Sequence, residues 1–204
     1  MRVQVELKLY WIEAGKLANK IAKKFFSQVS YDDFVSKDGR KCYTFKQSGR
    51  FNFVVKIRHA KDWSCFYDET NDEIKINVNK DCIQNEPSCF GTRRPEWQDT
   101  FVYLLTHEIT HYLQSFYVVE DGLDEEQSYY YELSGNGSKS SAGEMFLYFT
   151  NYLEMDANLS ALCNLMRYKP FDKEVLTKFY KWVYSFSPSL LKIVVEYVYG
   201  YWWK

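Results

Sequence analysis

The sequence predicts an α+β fold, a small antiparallel or mixed sheet with helices before and after it, and three textures along the chain point to that class. At the start, Leu9, Ile12, Leu17, Ile21, Phe25 and Phe26 recur at helical spacing. Between about Tyr43 and Val78 apolar residues alternate with polar ones instead. From about Asp99 onward helical spacing returns and accounts for most of what remains.

Each element has its own signals. In the first helix Lys16, Lys20, Lys23 and Lys24 fall between the apolar positions, as on a solvated helix face. In the strand region Phe51, Phe53, Val55 and Ile57 alternate. Cys65-Phe66-Tyr67 then meets the turn signal Asp68-Glu69-Thr70-Asn71-Asp72, and Ile74, Ile76 and Val78 alternate again, which predicts a β-hairpin. A loop from Asn79 to Pro95 follows, with Pro87 and Gly91 inside it, and then a strong helix over about Asp99–Tyr117. The acidic and then Gly/Ser-rich stretch from Val118 to Gly143 breaks the helical pattern. A second helix is expected over about Ala142–Tyr168, stopped by Pro170, and two more over about 172–186 and 189–203, parted by Pro188. No internal repeat and no linker divides the chain. A single domain over 1–204 is expected, with the N-terminal helix and sheet in about 1–80 and a helical half in about 96–204.

Composition excludes several classes. At 204 residues, 46% hydrophobic and 26% charged, the chain is globular and long enough for a full core. A net charge of −1 speaks against a nucleic-acid-binding module, which needs a concentrated basic surface. The opening Met1–Lys8 interrupts its apolar residues with charge and does not read as a secretory signal. The most apolar stretch, Leu190 to Trp203, is broken by Lys192 and Glu196, so no membrane span is expected. Five cysteines, odd in number and without a C-x-x-C pair, suit a reduced, cytoplasmic setting.

The chemistry rests on His107-Glu108-Ile109-Thr110-His111, an H-E-x-x-H pattern inside a strongly helical window. The four-residue step puts both imidazoles on one helix face, where they can share a metal ion. Glu108 lies about 100° round the helix, close enough to take a proton from a metal-activated water without ligating the metal. On this helix Phe101, Val102, Leu105, Ile109, Tyr112, Leu113 and Phe116 form one apolar face, and His107, Glu108 and His111 line the adjoining one. A core stripe beside a His/Glu/His stripe is what a cleft-lining helix requires. The expectation is a Zn2+-dependent hydrolase.

A catalytic zinc takes a third protein ligand and keeps a fourth position open. The extension that would add a third histidine needs Gly at 114 and His at 117, where the chain has Gln114 and Tyr117, and His59 is the only histidine left. Glu154 is the better candidate. It shares a helical stripe with Ala157, Asn158 and Ala161, small residues that allow close approach to the metal helix. Asp156 points about 200° away from Glu154 and is an alternative to it. Glu144 has the bulky neighbours Met145, Phe146 and Leu147.

H-E-x-x-H at 107–111, followed by E-x-D-A-N at 154–158, resembles the gluzincin metallopeptidases, above all the minigluzincins and related bacterial and phage-type peptidases. The match spans roughly 73–165. The resemblance implies a zincin-like fold and a peptidase that takes polypeptide substrates. It also implies Glu154 as the third zinc ligand, and an edge strand just before the metal helix for an extended peptide, with Ile74, Ile76 and Val78 at the matching position. Glu108 would serve as general base, and Tyr129, Tyr130 and Tyr131 are candidates to steady the oxyanion. Peptide deformylases also carry H-E-x-x-H, with an upstream Cys as ligand, which makes Cys65 a point of comparison; but Trp63-Ser64-Cys65-Phe66-Tyr67 lacks their E-G-C-L-S texture. The remaining alternative is a zincin-fold binding or structural protein without catalysis. Retention of Glu108 speaks against it, since a closed structural site has no use for a base.

Overall fold

The structure is a computed structural model that describes residues 2–30, 32, 42–59, 64–78, 97–117, 151–168, 173–186 and 188–202. Among these residues the chain is α+β, mostly helical, with one mixed four-stranded sheet. In order come α1 (Arg2–Phe26), β1 (Cys42–Gln47), β2 (Phe53–His59), β3 (Ser64–Asp68), β4 (Glu73–Val78), α2 (Trp97–Tyr117), α3 (Tyr152–Tyr168), α4 (Lys173–Phe186) and α5 (Pro188–Trp202).

The expected hairpin is β3–β4, paired antiparallel from Asp68↔Glu73 to Ser64↔Asn77. Its turn uses Asp72 at a φ of 49°, a left-handed conformation that Asp tolerates better than most side chains. The strand order is β1-β2-β4-β3. This corrects the expected edge. β4 is an interior strand, parallel to β2 on one side and antiparallel to β3 on the other, so Ile74, Ile76 and Val78 offer no free backbone edge to a peptide. The reason is topological: β3 is the return leg that lets β2 and β4 run parallel, and the tight hairpin then tucks β4 inside. Among the described residues the edge on this side is β3. Ile74 and Ile76 are buried beside Val55 and Ile57 of β2, where apolar alternation gives one face to the core. Lys56 and Glu73 pair on the other face.

α2 packs against the sheet, α1 and α3. Tyr112 of α2 sits against Phe53 and Tyr67, and Phe101 stacks on Phe25 of α1 at 4.6 Å between centroids. In α1 the buried row is Tyr10, Trp11, Ala14, Leu17, Ala18, Ile21, Ala22 and Phe25, while Leu9, which the periodicity placed among the apolar positions, is 59% exposed. Small residues in that row let α1 lie close to α3. At Gly15 a Cβ would stand 2.7 Å from Asn164 Oδ1, so only glycine fits without displacing that side chain. Asn164 in turn donates to Thr106 Oγ1 at 2.9 Å and accepts from Asn19 at 3.0 Å, a hydrogen-bonded seam through α1, α2 and α3. Pro188 opens α5 and does not only interrupt a pattern, since the first turn of a helix has no use for its missing N–H. No helix among the described residues is long and apolar enough to cross a membrane.

Candidate metal centre

α2 carries His107 and His111 one turn apart, with ring centroids 4.7 Å from each other. α3 brings Glu154 to them. Asn151 fixes where α3 begins, its Oδ1 accepting from the backbone N–H groups of Leu153 at 2.9 Å and Glu154 at 3.3 Å, an N-cap three residues before the ligand candidate. The stripe of Ala157, Asn158 and Ala161 is buried against its neighbours, as a close approach of α3 requires. Asn158 is further held by donating to the Glu154 carbonyl at 2.7 Å and accepting from the Tyr103 hydroxyl.

The result is a buried group of three: His107, His111 and Glu154 could hold a metal ion. Nε2 of His107 and Nε2 of His111 are 3.1 Å apart, and Oε2 of Glu154 lies 3.2 Å from the first and 3.4 Å from the second. That oxygen is buried beside two ring nitrogens yet meets neither with the angles of a hydrogen bond. Burial pushes the Glu154 carboxyl up, but the two imidazoles, His111 foremost, more than offset it and hold it well below the usual carboxylate range. At His111 burial works against the proton, and the Glu154 charge overrides it and raises the imidazole to about 9.

Glu108 is buried, at 5% exposure, and is not one of the three converging groups. Burial raises its carboxyl above the ordinary value against the lowering pull of His107 and His111. Cys65 of β3 lies near it: the thiol is pushed well above its usual range by burial first and by the neighbouring Glu108 carboxylate after that. The edge strand therefore passes near the carboxylate. Cys65 stands near Glu108 and outside the group of His107, His111 and Glu154.

Asp156 faces the other way, as its helical phase requires. It is fully buried and accepts from the Tyr10 hydroxyl, from Trp11 Nε1 at 3.0 Å and from Gln114 Nε2 at 3.0 Å. Burial lifts its carboxyl and these three donors pull it back. Gln114 also donates to the Leu153 carbonyl at 3.0 Å, and its Oε1 lies 2.8 Å from His111 Nδ1. Sequence reasoning treated Gln114 only as a missing glycine and Asp156 only as a competing ligand. The i, i+3 spacing of His111 and Gln114 was the one available signal. Nothing in the sequence marks Tyr10 and Trp11.

Tyr129, Tyr130, Tyr131 and Glu144 lie outside the described residues, as does the side chain of His59. Compared with known proteins, the chain matches no family model, no curated protein and no solved structure.

Proposed function

We propose that the chain is a zinc-dependent peptidase of the gluzincin kind, with a zincin-like fold. The observation that carries this reading is the spacing of three buried atoms able to offer a lone pair, at 3.1, 3.2 and 3.4 Å from one another. Zinc bonds nitrogen and carboxylate oxygen at about 2.0–2.1 Å, and a tetrahedron of that radius has an edge of about 3.3 Å. Two imidazoles and one carboxylate are also the donor set of a catalytic zinc that keeps one position open. His107, His111 and Glu154 would hold the ion.

Bound there, zinc supplies Lewis acidity, polarising a substrate carbonyl and acidifying water. Glu108 does the proton work. Buried and raised above the ordinary carboxylate range, it takes the proton of the attacking water and returns it to the leaving amine. β3 is the strand that would align the substrate, because its outer edge is free of strand partners among the described residues and its Cys65 lies near enough to Glu108 to feel its charge. An extended polypeptide adding to that edge by main-chain pairing would bring its carbonyls past the carboxylate.

Two measurements test the reading. Metal analysis of purified protein should give about one zinc per chain. Glu108→Gln should keep that zinc and the fold, and lose at least about a hundredfold in cleavage of unstructured peptides read by mass spectrometry. Equal cleavage by both proteins would remove Glu108 from the mechanism, and inert zinc-loaded wild type would favour a binding protein on the same fold.

A further inference from the structure

The cluster around Asp156 lies one hydrogen bond from the metal centre, and its members come from three helices. Tyr10 and Trp11 belong to α1, Gln114 to α2 and Asp156 to α3. Its value lies in what it settles about His111. A glutamine amide can be turned either way, and the two ends are told apart only by fixed neighbours. Here the fixed neighbour is the Leu153 carbonyl, an acceptor in every state of the protein, 3.0 Å from the Gln114 amide. It requires the NH2 end to face α3. The second N–H of that group then meets Asp156 Oδ2 at 3.0 Å. With the NH2 end committed, Gln114 presents its carbonyl oxygen to His111 Nδ1 at 2.8 Å, and that nitrogen must carry a proton and donate it. The Nε2 lone pair of the neutral ring is thereby directed at His107 and Glu154.

Asp156 is what keeps Gln114 from turning. Its Oδ1 accepts from Trp11 Nε1, a group that can only donate, and its Oδ2 accepts from Tyr10 and Gln114. An acceptor-only carboxylate fully enclosed by three donors has one arrangement in which all are satisfied. The Gln114 carbonyl turned toward Asp156 and Leu153 would set oxygen against oxygen twice.

We infer that Gln114 and Asp156, locked by Tyr10 and Trp11 of the N-terminal helix, are positioning residues that hold His111 in the tautomer able to bind a metal through Nε2. The inference rests on the proposed metal site and adds α1 to its construction. The N-terminal helix would then be part of the metal-binding apparatus, although the metal-binding motif lies wholly within α2.

The experiment uses the full chain with 15N-labelled histidine, loaded with zinc. In wild type the His111 Nδ1 proton should appear downfield and exchange slowly with water, as a proton held by Gln114 does. Gln114→Met should lose that signature and bind zinc about 10- to 100-fold more weakly, the range for removing a partner of a ligating histidine. Tyr10→Phe removes a single donor at the far end, keeps the ring and serves if the Gln114 variant fails to fold; it should weaken zinc binding by a smaller factor. Ser160→Ala is the control for lost packing, because Ser160 accepts from Thr110 at 2.8 Å between the same two helices and its hydroxyl is hydrogen-bonded to none of the four cluster side chains. It should leave both zinc affinity and the Nδ1 signal unchanged. Unchanged affinity and an unchanged Nδ1 proton in Gln114→Met, or in Tyr10→Phe where the former does not fold, overturn the positioning role and leave the metal site standing. An equal loss in Ser160→Ala overturns it too, as general loosening of the α2–α3 contact. Wild type that binds no zinc at all overturns the metal reading itself.

Discussion

Glu154 and Asp156 are two residues apart on one helix, both buried against α2, and their surroundings are opposites. Asp156 sits where donors converge: a phenol, an indole and an amide are aimed at one carboxylate. Glu154 sits where metal-ligating atoms converge, its Oε2 beside two imidazole nitrogens and in hydrogen-bond geometry with neither. Burial is the same and the hydrogen bonding differs. A buried polar group short of partners carries a cost of roughly 1–3 kcal/mol, so a fold retains one only where something else satisfies it. At Asp156 the protein satisfies itself. At Glu154 the proposed metal would be the missing partner, and that difference would separate a structural carboxylate from a ligand more sharply than burial or charge does.

The largest effect should come from removing each carboxylate's charge in turn. Glu154→Gln should take zinc from about one per chain to near none, because only two protein ligands remain. Asp156→Asn should keep the metal, bound more weakly, and lose folding stability instead. Breaking a charged hydrogen-bond set costs on the order of 1.5–3 kcal/mol per bond at the outside, and this variant keeps part of the set. Metal analysis and chemical denaturation of both variants separate the two regions. If Asp156→Asn empties the site while Glu154→Gln fills normally, the assignment of roles is reversed.

A pH series sharpens the same contrast. In protein stripped by a chelator, His111 has a folded value of about 9 against 6.5 for an ordinary imidazole. Its contribution to stability is therefore fully present below about pH 6.5 and is lost as pH rises through 9. Glu154 is held below its ordinary 4.5, so its contribution is present above that value and is lost as pH falls beneath it. Asp156 and Glu108, both raised, oppose this and favour the fold as pH falls. Zinc must displace the Nε2 proton of His111, since the ligand is the neutral ring. Binding at pH 7 should release about one proton per chain, and affinity should rise about tenfold per pH unit until the ring is neutral near 9. Calorimetry in buffers of different ionisation enthalpy reads that proton. Zinc uptake at pH 7 without proton release would mean that His111 is already neutral there, and that the Glu154 charge does not raise it.

What could be read from the sequence divides along the same lines. α2 and the β3–β4 hairpin were legible because their signals are local: a repeating apolar face, a turn between alternating runs. The approach of Glu154 to His107 and His111 was legible because small neighbours on its stripe announced a close helix contact. Strand order was not, because whether β4 lies inside or at the edge depends on which strand β2 pairs with, and alternation looks the same in either place. The exposure of Leu9 and Phe116 was hidden too, since periodicity marks a face and does not say how much of it a neighbour covers. The Asp156 cluster was least legible of all: its bonds from Tyr10 and Trp11 span 146 and 145 positions of chain, and no local pattern encodes them.

The smallest effect tests how independently the two carboxylates are held. Asn151 caps α3 through the N–H groups of Leu153 and Glu154, so it secures the turn that carries Glu154. Asp156 needs no such help, being gripped from α1 and α2. Loss of a cap side chain costs about 0.5–2 kcal/mol, because backbone donors at the helix start go unmet. Asn151→Ala should therefore fray the first turn, cost about 1 kcal/mol of stability and weaken zinc binding a few-fold. The His111 Nδ1 proton should stay largely protected, since Asp156 still holds Gln114 although the Leu153 carbonyl that also orients it lies in the frayed turn. Amide exchange of residues 153–159, whose N–H groups meet the cap or first-turn carbonyls, against 160–163, whose acceptors begin at Asp156, with and without zinc, follows both at once. In the metal-free variant exchange should quicken only in the first group, and zinc should restore it by tying Glu154 to α2. If exchange quickens equally across both groups, the two carboxylates stand or fall as one unit, and the division between a ligand turn and a self-satisfied turn is wrong.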